Sequence, residues 1–165
     1  MTGKSTSGRL TKGKAGHFGF RSKFIKLASD IISRMPGYIV ERIENILEKK
    51  KKELKQAKIL IIGVTYKKDI RDLRKSPSLD IIDLLQKRKA AVSYFDPSIP
   101  YLKINNTINL KSIELNKQTL GKFDCVVIAT DHSSLDYDFI LKNSKLIFDT
   151  RNVYRDFKNN KVIKL

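Results

Sequence analysis

The chain has 165 residues and a mass of 19.0 kDa, which suits one compact domain plus an appendage. A hydrophobic fraction of 41% is enough for a core, and no apolar run approaches the roughly 20 residues needed to cross a bilayer. The net charge of +17 invites a nucleic-acid reading, because clustered cations neutralise phosphates and release counterions. Much of that charge precedes Lys58, and the richness in lysine, isoleucine and asparagine also fits an AT-biased genome, so a solvated basic surface is the default reading.

Residues 1–19 are rich in Gly, Ser, Thr and Lys without apolar periodicity, and are expected to form a disordered or remnant leader. They contain no apolar h-region, so no secretory signal is expected. The single cysteine, Cys125, cannot form an internal disulfide and favours a reducing compartment. The expected location is cytoplasmic. Residues 20–56 read as a central helical segment. Phe24, Leu27, Ala28, Ile31 and Met35 fall at helical spacing, and Ile39, Ile43, Ile46 and Leu47 continue the period. Pro36-Gly37 interrupts the run, and either kinks one helix or starts a second. The apolar stripe needs burial, on its own domain or against a second copy as a dimer surface.

From residue 57 to the end the pattern alternates. Residues 58–62, 91–95, 123–129 and 145–148 read as strands, with 162–165 as a possible edge strand. Residues 78–89 and 135–141 read as helices. The fold class that follows is α/β, a Rossmann-like parallel sheet flanked by helices and preceded by a long helix.

The most informative stretch is residues 63–77, GVTYKKDIRDLRKSP, between the first strand and the first helix of this unit. Loops leaving the carboxyl ends of strands are where such folds bind ligands. This one carries Tyr66, the cations Lys67, Lys68, Arg71, Arg74 and Lys75, and two aspartates. Arginine grips a phosphate or carboxylate with a planar fork, and lysine adds a mobile point charge. Only Gly63 stands where a G-x-G-x-x-G dinucleotide loop needs three glycines. Ser76 and Pro77 suit the N-cap and first turn of the following helix. Arg151 lies just beyond another strand, so a parallel sheet would place both cationic loops on one rim. Asp96 reads as a turn aspartate before Pro97 rather than a ribose ligand. His132 reads as a hydrogen-bonded loop residue and Cys125 as an inert core thiol. The sequence offers no metal-ligand cluster and no catalytic residue.

Residues 63–79, GVTYKKDIRDLRKSPSL, resemble the signature of the C-terminal domain of UDP-glucose/GDP-mannose dehydrogenases, closest to UDP-N-acetylhexosamine 6-dehydrogenases. Phe18 to Ile43 is similar to that family's central dimerisation helix. Ser93-Tyr94-Phe95-Asp96-Pro97, Ala129-Thr130-Asp131-His132 and Phe148-Asp149-Thr150-Arg151-Asn152 match in order. The resemblance implies NAD-dependent oxidation of a sugar C6 alcohol to a carboxylate, with two NAD consumed and a cysteine thioester on the way. By matching positions, Tyr66, Lys67 and Arg151 would bind the UDP-sugar, and Arg74 would reach NAD held mainly by a domain outside this sequence. It further implies a homodimer through the central helix, and reads the chain as the C-terminal part of a dehydrogenase by truncation, decay or a split gene, the last with a separate N-terminal dehydrogenase half. Ile32 replaces the family's usual asparagine and Lys75 its usual glutamate, and the glycine loop and catalytic cysteine are missing. The chain is therefore expected to bind without turning over alone. A non-catalytic UDP-sugar-binding or dimerisation module, and a basic nucleic-acid-binding protein, are the alternatives.

Overall fold

Short runs of β-branched residues build one parallel sheet in the computed structural model, which describes residues 23–105 and 108–165. The expected leader, residues 1–19, lies outside the described residues. The elements in chain order are α1 (Lys23–Glu48), β1 (Lys58–Ile62), α2 (Pro77–Lys87), β2 (Ala91–Phe95), β3 (Tyr101–Ile104), β4 (Ile108–Lys111), α3 (Lys117–Leu120), β5 (Cys125–Ile128), α4 (Tyr137–Asn143), β6 (Ile147–Asp149) and β7 (Val162–Lys164).

The sheet order is β2-β1-β5-β6-β7, with every pair parallel. Chain order reverses between β1 and β5, which marks the topological switch point of a doubly wound sheet. Both faces of the central strands are covered, so KILII and CVVI are almost wholly buried. Alternate residues divide the core into two layers. Ile59, Ile61, Cys125, Val127 and Phe148 meet Ile81, Ile82 and Leu85 of α2 and Ile39, Val40, Ile43, Ile46 and Leu47 of α1. Leu60, Ile62, Val126, Ile128 and Ile147 meet Leu120 of α3, Ile140 of α4 and Tyr154. Each such side chain contributes about 1.5–3 kcal/mol when fully buried.

The chain divides into two units between Met35 and Pro36, and Pro36 is a residue within α1. In the first unit, Phe24, Leu27, Ile31 and Ile32 are exposed. In the second, the remainder of α1 packs on the sheet and ends at Glu48, and Lys51 just beyond it takes the left-handed φ of 57° that closes helices, with the Lys52 amide returning to Leu47 O at 3.0 Å. Ser76 caps α2 with Pro77 in its first turn, as the sequence indicates. The helix expected over 135–141 begins later, at Tyr137, because the Asp136 carboxylate accepts from the Phe139 amide and fixes the start there. The antiparallel hairpin β3–β4, not anticipated from the sequence, buries Leu102 and Ile104 against the first layer.

All five parallel strands begin at the same pole, and that pole is basic. Lys58, Lys89, Lys122, Lys145 and Lys161 precede or open the five strands, and Lys49, Lys50, Lys51, Lys52 and Lys55 follow α1; all ten are exposed. The main chain ties these segments together, with the Gln56 amide donating to Lys89 O (2.8 Å), Asp124 N to Lys58 O (2.8 Å) and Ile147 N to Lys161 O (2.7 Å).

Candidate functional site

The opposite pole gathers the loops that leave β1, β5 and β6. Gly63 has φ 79° and donates its amide to Phe95 O at 2.9 Å. A Cβ built on Gly63 would lie 2.3 Å from Thr130 O. This glycine therefore serves to bring the β1 and β5 loops into contact. Thr65 and Lys68 stand where a dinucleotide loop that began at Gly63 would need its second and third glycines.

A buried polar network fills the rest of the switch point. The Asp96 carboxylate accepts from the Val64 amide (2.8 Å) and the Ser98 amide (2.9 Å). His132 Nε2 lies 3.1 Å from Asp96 Oδ2 and 3.2 Å from Thr65 Oγ1. The Asp69 amide donates to His132 Nδ1 at 3.1 Å. An amide can only donate, so Nδ1 carries the lone pair and Nε2 the proton. The Thr65 hydroxyl donates to Lys67 O at 2.9 Å, leaving its oxygen to accept from Nε2–H. Asp96 is thus a turn aspartate, as expected, and also the anchor of the β1 loop. His132 is the hydrogen-bonded loop residue expected of it.

Asp69 has φ 59°, a conformation that costs a non-glycine residue about 1–3 kcal/mol and persists only when its surroundings fix it. Its Oδ1 accepts from the Ser133 amide at 2.8 Å. That bond, assisted by Lys68 and opposed by slight desolvation, lowers the Asp69 pKa from the ordinary aspartate value. The base of the same loop is closed by the Tyr66 amide on Asp72 O at 2.8 Å.

Beside this network lies a cavity of about 520 Å³ lined by residues that include Lys68, Asp131, Tyr137, Arg151, Asn152 and Arg155. Arg151 Nε donates to Asp131 Oδ1 at 3.2 Å, and Lys68 Nζ stands 4.0 Å from Asp131 Oδ2. The cations of the β1 and β6 loops do share one rim, and Asp131 gathers them. Asp149, buried at the end of β6, accepts from the Arg151 and Tyr154 amides (3.0 and 2.8 Å) and so fixes the loop that carries Arg151. The Tyr137 hydroxyl donates to His132 O at 3.1 Å, and desolvation, with Asp131 and Asp69 nearby, pushes its pKa up. The cavity can hold an anion with a polar or aromatic neighbour.

Of the residues singled out from sequence, Lys68, His132 and Arg151 line the cavity. Tyr66 is half exposed, with Lys67 Nζ 5.9 Å from its ring centroid. Arg74 lies on the exposed side of the loop with its guanidinium forked onto Asp72 (Nε to Oδ1 3.0 Å, a terminal nitrogen to Oδ2 2.8 Å). That hydrogen bond lowers the Asp72 pKa to about 2. Arg155 and Tyr137 were not singled out, since nothing local in the sequence joins them to Arg151. Cys125 is buried, and desolvation pushes its thiol up to about 12. Among the described residues no group of His, Cys, Asp and Glu is placed to hold a metal ion, and no described helix is long and apolar enough to cross a membrane.

A doubly wound sheet with cations converging over its carboxyl ends defines a Rossmann-like ligand-binding domain. The chain belongs to the UDP-glucose/GDP-mannose dehydrogenase family, whose UDP binding domain matches residues 60–156. It is 34% identical over 141 residues to a UDP-N-acetyl-D-mannosamine dehydrogenase of Methanococcus maripaludis, covering 80% of this chain and 31% of that protein. It is likewise 34% identical over 114 residues to the Campylobacter jejuni enzyme of the same name, covering 67% of this chain and 27% of the relative. Among solved structures, the UDP-D-ManNAc dehydrogenase of Pyrococcus horikoshii superposes with a TM-score of 0.68 at 26% identity, over 85% of this chain and 32% of that one. The UDP-N-acetyl-mannosamine dehydrogenase of Staphylococcus aureus gives 0.64 at 28% identity, over 88% and 33%. The chain thus spans about a third of the length of these relatives.

Proposed function

We propose that this chain binds a UDP-N-acetylhexosamine or UDP-glucose as the C-terminal part of a nucleotide-sugar 6-dehydrogenase. The observation that carries the reading is the meeting of Lys68 and Arg151 over Asp131 at the cavity mouth. A diphosphate arriving there exchanges one carboxylate for its own charge, and Arg151 can take it as a fork. Tyr66 and Lys67 flank the nucleotide-sugar. Arg74, exposed and paired with Asp72, swings toward the phosphates of NAD. Thr65 and Lys68 replace the second and third glycines of a dinucleotide loop, so NAD is held mainly by another domain, and the cysteine nucleophile likewise comes from outside this chain. Alone, the chain binds without turnover. The exposed stripe Phe24, Leu27 and Ile31 on α1 pairs with a second copy to form a homodimer.

Titration calorimetry with UDP-N-acetylmannosamine, UDP-N-acetylglucosamine and UDP-glucose tests the reading. Binding that Arg151→Ala weakens about tenfold or more, with no NAD reduction, is the expected result. NAD reduction on adding a separately produced cofactor half assigns the chain to a split enzyme. Binding that persists without any such reduction assigns it to the non-catalytic module. Absence of binding to all three ligands, with steeply salt-dependent DNA binding instead, would replace the reading by the nucleic-acid one.

A further inference from the structure

We propose that His132, held as the Nε2–H tautomer, is the positioning residue that sets the 65–72 loop for a nucleoside diphosphate at the cavity mouth. The proposal rests on the reading above and assigns a role to a side chain that the ligand need not touch. Neither ring nitrogen is available for proton transfer. Nδ1 is occupied by the Asp69 amide, and Nε2 faces Asp96 and Thr65, with the side chain only 1% exposed. What remains is geometry. The His132 side chain reaches both ends of the cationic stretch, at Thr65 and at Asp69.

Lys67 and Lys68 lie between those two points. The Lys67 carbonyl is held by the Thr65 hydroxyl at 2.9 Å, and the next residues turn through the left-handed Asp69. Removing the acceptor at Nδ1 would free the Asp69 amide, and the turn would lose one of the two bonds from the β5 loop that hold it, the other being Ser133 N to Asp69 Oδ1. Lys68 would then no longer be kept beside Asp131 and Arg151. The other end of the imidazole contributes differently, because Asp96 is already fixed by the Val64 and Ser98 amides.

Two substitutions separate the two ends. In His132→Asn the amide oxygen falls near the place of Nδ1 and still accepts from Asp69. In His132→Gln the terminal nitrogen falls near Nε2 and the Asp69 acceptor is lost. The experiment uses the full chain, with UDP as probe, calorimetry for affinity, proton–nitrogen NMR for the Asp69 amide exchange rate, and denaturation for stability. The expected result is that His132→Gln speeds Asp69 exchange and weakens UDP binding, each by about tenfold, while His132→Asn stays within about threefold of wild type in both. Equal loss of affinity in the two variants, following their stability alone, overturns the proposal, as does unchanged affinity in His132→Gln. In the unsubstituted chain, long-range imidazole correlations must show Nε2–H; the Nδ1–H form would also overturn it. If wild type fails to bind UDP at all, the binding reading falls and takes this role with it, a failure distinct from wild-type binding that the variants leave unchanged.

Discussion

Gly63 and Thr130 stand so close that no side chain fits between them: a Cβ on Gly63 would meet Thr130 O at 2.3 Å and Thr130 Cβ at 2.5 Å. Gly63→Ala therefore combines left-handed strain with a clash against backbone, and is expected to cost about 2–4 kcal/mol. Urea denaturation measures it. A loss below about 1 kcal/mol would mean that the two loops separate at little cost.

Asp96 accepts from two amides and from His132 Nε2–H in a buried setting. Asp96→Ala leaves those donors without their acceptor and is expected to destabilise by about 2–4 kcal/mol. Asp96→Asn, which keeps one carbonyl oxygen, is expected to cost less. Parallel denaturation curves for the two variants give the comparison.

Three carboxylates shape the acid response. Asp72 is held at about 2 by its hydrogen bonds from Arg74, and Asp69 is lowered by the Ser133 amide. Burial pushes Asp124 upward, but hydrogen bonds from the Lys52 ammonium and the Lys58 amide outweigh it, and the net shift is downward. A depressed folded pKa gives stability that is present above the unfolded value, near 3.9, and is lost as pH falls through the folded one. The melting temperature should thus be insensitive to these groups at neutral pH and fall below about pH 4. Asp124→Asn should flatten part of that acid limb, which thermal melts between pH 2 and 6 would show.

Cys125 is buried on β5 with its thiol raised to about 12 by desolvation. Disulfide reagents should label it only as slowly as the chain opens, and completely in denaturant. Rapid labelling of the native protein at pH 8 would contradict the burial.

The sheet was legible because its strands carry their own punctuation: KILII ends at Gly63, and AVSYF ends at Asp96-Pro97. The rim shared by the two cationic loops followed from parallel pairing alone. The hairpin was harder to see, since YLKI and INLK are four residues each and their alternation is too brief to stand out from a loop. The bond between Asp96 and His132 spans 36 positions, and no local pattern announces it. Only the reversal of strand order between β1 and β5 brings those two residues together. Arg155 was missed for a related reason, because its place at the cavity depends on the turn that Asp149 imposes on the chain after β6.

The lysines at the strand starts and after α1 crowd one end of the second unit with exposed positive charge, whereas at the other end Asp69, Asp72 and Asp131 are set among the loop cations. A unit held by that lysine end on a cation-exchange bead or a negatively charged sensor chip would have its cavity mouth turned to the flowing solution, open to a nucleotide passed over it.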